Sequence, residues 1–154
     1  MKQNTSSHLS EITVTCKPLR QSVLPQCIIT NSEEAYQSVN AFFPPPEQRI
    51  QEHFVVLYTN RANQLIGGYH LSKGGLTATV ADVRIILAIA LKTLASGIIL
   101  AHNHPSGSIL PSEADRDITE KIREAAGLMD IKLLDHLILG IEAEYYSFRD
   151  ESLL

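Results

Sequence analysis

The sequence predicts a single α/β domain, a mixed β-sheet packed between helices. Its 154 residues suit one domain, and a chain of this length buries roughly 70% of the surface its unfolded state exposes. Hydrophobic content of 44% against 19% charged residues is ordinary for a globular protein and argues against a wholly disordered chain. Short β-branched and aromatic runs alternate along the sequence with amphipathic helical segments, the pattern of an α/β sandwich.

The elements follow in order. Residues 1–30 read as an N-terminal extension in which Glu11 to Cys16 alternates enough to be a strand, and residues 31–154 as the domain itself. Asn31 and Ser32 precede Glu33 and Glu34, a helix-start signature, with apolar Val39, Phe42 and Phe43 behind and Pro44, Pro45 and Pro46 to end the helix. Glu52 to Tyr58 is rich in β-branched and aromatic residues and reads as a strand. Asn60 to Asn63 supplies a turn, and Gln64 to Leu71 returns as the antiparallel partner. Lys73, Gly74 and Gly75 bend the chain again, and Thr77 to Val80 lead into a well-buried helix from about Ala81 to Ala95, stopped by Ser96 and Gly97. A short buried strand covers Gly97 to Ala101, a helix Ser112 to Ala126, a strand Ile131 to Leu139, and an edge strand Tyr145 to Phe148.

Several function classes are disfavoured. A net charge of -4 gives no support for a sequence-independent grip on nucleic acid, which needs clustered Lys and Arg. The apolar stretch from Ile85 to Ala101 is divided by Lys92 and by Ser96–Gly97, so it reads as core and not as a membrane span. Cys16 and Cys27 form no C-x-x-C pair and imply no disulfide framework. The polar N-terminus lacks the apolar centre of a secretory signal, so the expected location is the cytoplasm.

The chemistry concentrates in AHNHPSGSILPSEAD, residues 101–115. Side chains two apart on a strand share a face, so His102 and His104 can address one point as a chelating pair. Pro105, Ser106 and Gly107 turn the chain, and Pro111–Ser112 opens a helix whose first turn carries Asp115. Two imidazoles and one carboxylate leave the fourth tetrahedral position for water, the layout of a catalytic zinc site; calcium and magnesium prefer all-oxygen ligands.

The spacing His102-x-His104, seven residues, Ser112, two residues, Asp115 resembles the JAMM signature of the MPN (JAB) metalloprotease superfamily. The words HNHPSG, PSEAD and Asp135-His136-Leu137-Ile138 are similar to its RadC branch, over about Asn31 to Leu154. The resemblance implies an MPN/JAMM fold related to the cytidine deaminases, a bound Zn2+ held by His102, His104 and Asp115, and hydrolysis of an amide or isopeptide bond in a peptide or protein substrate. It also implies that Glu52, just ahead of its strand, is the general base and that Ser112 hydrogen-bonds the attacking water or the developing oxyanion. The other reading is a noncatalytic binding scaffold associated with DNA repair, as the RadC name suggests.

Blander explanations compete at single positions. Ser112 and Asp115 also spell a capping box, a reading compatible with the metal site. Glu47 lies close enough in sequence to compete with Glu52. His136, beside Asp135, reads either as a neighbour supporting a ligand or as a structural histidine. Arg84, at a helix start, reads as a contact near the site or as surface, and His8, His53 and His70 have no partner at ligand spacing. The string HNH is unrelated to the ββα nucleases that share those letters, and a zinc deaminase would need the P-C-x-x-C pair this chain lacks.

Overall fold

The computed structural model describes residues 15, 27–45, 50–74, 81–142 and 144–154. Among them are three helices, α1 (Ser32–Asn40), α2 (Val83–Lys92) and α3 (Glu113–Gly127), and five strands, β1 (His53–Thr59), β2 (Leu65–Lys73), β3 (Gly97–Asn103), β4 (Lys132–Leu139) and β5 (Tyr145–Ser147). The sheet order is β2-β1-β3-β4-β5. It is mixed: β1 runs antiparallel to both β2 and β3, α3 crosses over to make β3 and β4 parallel, and β5 returns antiparallel to β4.

Burial explains the strand order. Every residue of β1 and of β3 is buried, and each Val, Leu or Ile so covered contributes about 1.5–3 kcal/mol relative to exposure. Such strands belong in the middle of a sheet covered on both faces. The alternation along them divides the core in two. Phe54, Val56 and Tyr58 with Ile98 and Leu100 pack under α2 and α3, meeting Ile86, Ala90, Ile122 and Ala126. Val55, Leu57, Ile99 and Ala101 face the other way, toward Ala35 and Val39 of α1. β2 is partly exposed along its length, as an outer strand must be. This is the expected α/β architecture of a mixed sheet between helices.

The element ends differ slightly from the sequence expectation, each for a local reason. α2 starts at Val83 because Asp82 is its N-cap, accepting from the Arg84 amide, and it stops at Lys92 because Leu94 takes a left-handed φ of 54°. α1 ends at Asn40, ahead of the prolines, with Phe42 and Phe43 in the turn beyond. β3 continues past Ala101 to Asn103, carried by its pairing with β4 as far as Leu139. The strand expected at Glu11 to Cys16 lies, apart from residue 15, outside the described residues, as do Glu47 and Thr77 to Val80. No helix among the described residues is long and apolar enough to cross a membrane.

Candidate metal centre

The two extra residues of β3 shape the site. His102 continues the alternation of Ile98 and Leu100, so its ring lies on the α2/α3 face of the sheet, wholly buried and stacked on Phe54 at an interplanar angle of 4°. The following turn needs Gly107, whose φ of 78° lies in the left-handed region open to glycine. The Gly107 amide donates to the His104 carbonyl, and Nδ1 of His104 donates to the Ser108 carbonyl at 2.8 Å. That bond fixes the ring, because a carbonyl can only accept, so the proton of neutral His104 sits on Nδ1 and the Nε2 lone pair is left free.

α3 brings the third group. Ser112 caps the helix in a reciprocal capping box: its hydroxyl accepts from the Asp115 amide, while the Asp115 carboxylate accepts from the Ser112 amide at 2.7 Å and from its hydroxyl at 2.6 Å. The carboxylate is thereby turned toward the tip of β3. His102 Nε2 lies 3.0 Å from His104 Nε2 and 3.1 Å from Asp115 Oδ1, and His104 Nε2 lies 3.3 Å from Asp115 Oδ2. Donors held about 2.0–2.1 Å from one ion at tetrahedral angles stand about 3.3–3.4 Å apart. The cluster could hold a metal ion, and its separations and two-nitrogen, one-oxygen donor set fit a small tetrahedral cation. The exposures, 0% for the His102 side chain against 18% for His104 and 13% for Asp115, put the open side of the cluster at His104 and Asp115.

The electrostatics are those of a site prepared for positive charge. Burial pushes the Asp115 carboxyl up, but the His102 and His104 rings set against it outweigh burial and hold the group far below the usual carboxylate range. His104 is raised from its ordinary value by its bond to Asp115, against burial. Both shifts favour a carboxylate beside a cation, whether that cation is a proton or a metal.

Glu52 stands just before β1, and its charge also raises His104. Its backbone is held on both sides. Toward β2, the Glu52 carbonyl accepts from the Gly74 amide at 2.8 Å. Toward β3, the Asn103 side chain accepts from the His53 amide at 2.9 Å and donates to the Gln51 carbonyl at 3.1 Å, so one buried amide grips the residues on either side of Glu52. The residue between the two histidines thus ties the β1 start to the β3 tip. The sequence marks Asn103 only as the middle letter of His-Asn-His, and its alternation away from the ligands is the one signal that could have drawn attention to it.

Other residues find their places. His102 Nδ1 lies 2.9 Å from His136 Nε2, and His136 Nδ1 lies 2.6 Å from the Thr119 hydroxyl. His136 is completely buried, which pushes its pKa well below the ordinary value, and it stacks on Phe148. Asp135 faces away from the cluster and accepts from the His136 and Arg149 amides and the Ser147 hydroxyl, with burial raising its pKa. Arg84 is a surface residue paired with Asp82 at 2.6 Å. His53 and His70 meet across β1 and β2 at 2.9 Å, an encounter produced by strand register and invisible to sequence spacing.

The chain has similar sequences among known proteins. The family model described as the RadC-like JAB domain matches residues 12–153. The chain is 44% identical over 125 residues to a UPF0758 protein of Flavobacterium johnsoniae, covering 81% of this chain and 53% of that one. It is 45% identical over 126 residues to a UPF0758 protein of Porphyromonas gingivalis, covering 82% and 54%. A UPF0758 protein of Streptococcus gordonii is 50% identical over 102 residues, covering 66% of this chain and 45% of its own. The chain therefore spans about half the length of the curated relatives it matches.

Proposed function

The chain belongs to the RadC-like JAB domain family, and from that premise we propose that it is a zinc-dependent hydrolase of amide or isopeptide bonds in peptides or proteins. The observation that carries the reading is the convergence of His102 Nε2, His104 Nε2 and an Asp115 oxygen at 3.0–3.3 Å, open to solvent on one side, with the Glu52 backbone anchored next to the β3 tip. His102, His104 and Asp115 would hold the ion. Zinc bound there would supply a water of near-neutral pKa, about 7, and polarise a carbonyl oxygen.

The remaining work falls to the chain's own residues. Glu52 accepts the proton of the attacking water and returns it to the departing amine nitrogen, so one carboxylate serves as base and then as acid. Ser112 holds its hydroxyl proton on Asp115 in the capping box; turned outward, the same hydroxyl donates to the oxyanion that develops at the attacked carbonyl. The absence of a C-x-x-C pair fits a reducing compartment such as the cytoplasm.

The test is metal content followed by turnover. Purified under zinc-replete conditions, the protein is expected to carry one zinc per chain and the His104→Ala variant none. Glu52→Gln should retain zinc and lose hydrolysis of a peptide library. A zinc-replete wild type without bound zinc overturns the metal site, and unchanged turnover in Glu52→Gln overturns the base. A zinc-loaded wild type that cleaves nothing favours the scaffold over the enzyme.

A further inference from the structure

Beyond the three candidate ligands, the buried hydrogen bonds around them admit one consistent assignment of protons. The Thr119 hydroxyl oxygen lies 2.5 Å from the Asp115 carbonyl oxygen and 2.6 Å from His136 Nδ1. Two oxygens that close need a proton between them, and a carbonyl has none to give, so the hydroxyl proton belongs to the Asp115 carbonyl. Thr119 can then only accept from His136, which places the single ring proton of the neutral, wholly buried His136 on Nδ1. His136 Nε2 is left with a lone pair 2.9 Å from His102 Nδ1 and must accept from it. The His102 proton is therefore on Nδ1, and its Nε2 lone pair points at His104 and Asp115.

We propose that Thr119 and His136 are positioning residues that set the tautomer of His102 and lock two of the three metal ligands together. The chain of donors runs from the His102 ring through His136 and Thr119 to the backbone of Asp115, so a ligand on β3 and a ligand on α3 are joined by three hydrogen bonds that contain no solvent-exposed group. The reversed assignment, with the His102 proton on Nε2, would block the lone pair a metal needs and strip the short contact between Thr119 and Asp115 of its proton. Phe54 stacked on His102 and Phe148 stacked on His136 hold both rings in plane for these bonds. A metal-bound imidazole whose other nitrogen donates to a fixed partner is the better ligand, and loss of such a partner weakens metal binding about 10–100-fold.

This inference rests on the zinc site of the preceding section, and its test separates the two. In the metal-free wild type at neutral pH, long-range proton–nitrogen NMR correlations should show His102 and His136 both protonated on Nδ1. Thr119→Val, which keeps the shape and removes the hydroxyl, should bind zinc about 10–100-fold more weakly than wild type, with the His102 signals moving toward the other tautomer. Thr119→Ser should restore both. A wild type in which either ring carries its proton on Nε2 and not on Nδ1 overturns the relay, and so does a folded Thr119→Val variant with wild-type zinc affinity. If that variant does not fold, the wild-type tautomers decide alone. A wild type that shows the stated tautomers but binds no zinc sinks the metal site and leaves the hydrogen-bond assignment standing.

Discussion

The grip of Asn103 on the start of β1 gives the sharpest prediction. Asn103→Ala removes the acceptor of the His53 amide and the donor to the Gln51 carbonyl in one step. The bond to His53 is buried, so its orphaned N–H should cost about 1–3 kcal/mol, whereas the Gln51 carbonyl, beside solvent, can exchange its partner for water at about 0.5–1 kcal/mol. The sum is roughly 2–4 kcal/mol, and at about 2–4 °C per kcal/mol for a domain of this size the midpoint of thermal unfolding should fall by about 5–15 °C. The Asn103 amide bonds the His53 and Gln51 backbone, on the side of β3 opposite the His102 ring, so the zinc affinity of the folded variant should stay near wild type. Glu52 should be displaced, and a displacement of about 1 Å can cost about 100-fold in rate. Calorimetry, a zinc titration and a peptide-library assay measure the three quantities. An unfolding midpoint equal to that of wild type would refute the reasoning about the buried amide, and full turnover in the folded variant would refute the claim that the grip positions Glu52.

Two further perturbations test the surroundings. Asp135→Ala orphans the His136 amide and the Ser147 hydroxyl in the interior and the half-buried Arg149 amide; at about 1–3 kcal/mol for each of the two buried orphans the loss should be roughly 2–6 kcal/mol, read from urea unfolding. Asp135→Asn keeps one oxygen for both amides and removes a carboxyl whose pKa burial has raised, so its loss should be much smaller, and equal losses would show that the charge itself matters. The third prediction concerns pH in the metal-free protein. His136 titrates lower when folded than its ordinary 6.5, so the unfolded chain takes up a proton that the folded chain refuses. Its contribution is therefore lost as pH falls below about 6.5, by up to about 1.4 kcal/mol per unit. His104 is raised by Asp115 and acts with the opposite sign, stabilising below its unfolded pKa and losing that contribution as pH rises through its folded one. His104→Ala should therefore lose stability between pH 7 and pH 5 more steeply than wild type, measured by urea midpoints in chelator. A flat profile in the variant would contradict the assignment.

How much of this was legible depends on whether the information is local. The helix starts were readable because caps are short-range chemistry: Asn31 accepts from the Glu34 amide, and Ser112 and Asp115 form the box their spacing spells. The buried strands were readable because β1 and β3 are continuous apolar runs. The three candidate ligands lie within fourteen residues on a strand tip and the next helix start, so periodicity brings them together. Thr119 was hidden because its proposed role depends on meeting His136, seventeen residues away on β4, whose pairing with β3 shifts register between Ile98 and Ile99. Asn103 was hidden because its partners lie about fifty residues back in the chain, where nothing local announces that β1 will lie beside β3. The end of β3 was misplaced by two residues for the same reason, since only the partner strands show that His102 and Asn103 remain in the ladder.

The three candidate ligands are not held equally. His102 is buried in the middle of the sheet and bonded to His136, so its position follows from the fold. Asp115 is fixed by the α3 capping box at one end and, through its own backbone, by Thr119 at the other. His104 lies beyond the last residue of β3, and outside the cluster its ring is tied by the bond to Ser108, in a turn that depends on the left-handed Gly107. Two ligands are thus preorganised and the third is the least constrained. An ion held there, as proposed, would meet a preformed pair in His102 and Asp115, with His104 supplied by the turn that follows β3. The same turn leads directly into Ser112 and the start of α3, so the proposed ion site and the serine hydroxyl depend on one segment of chain.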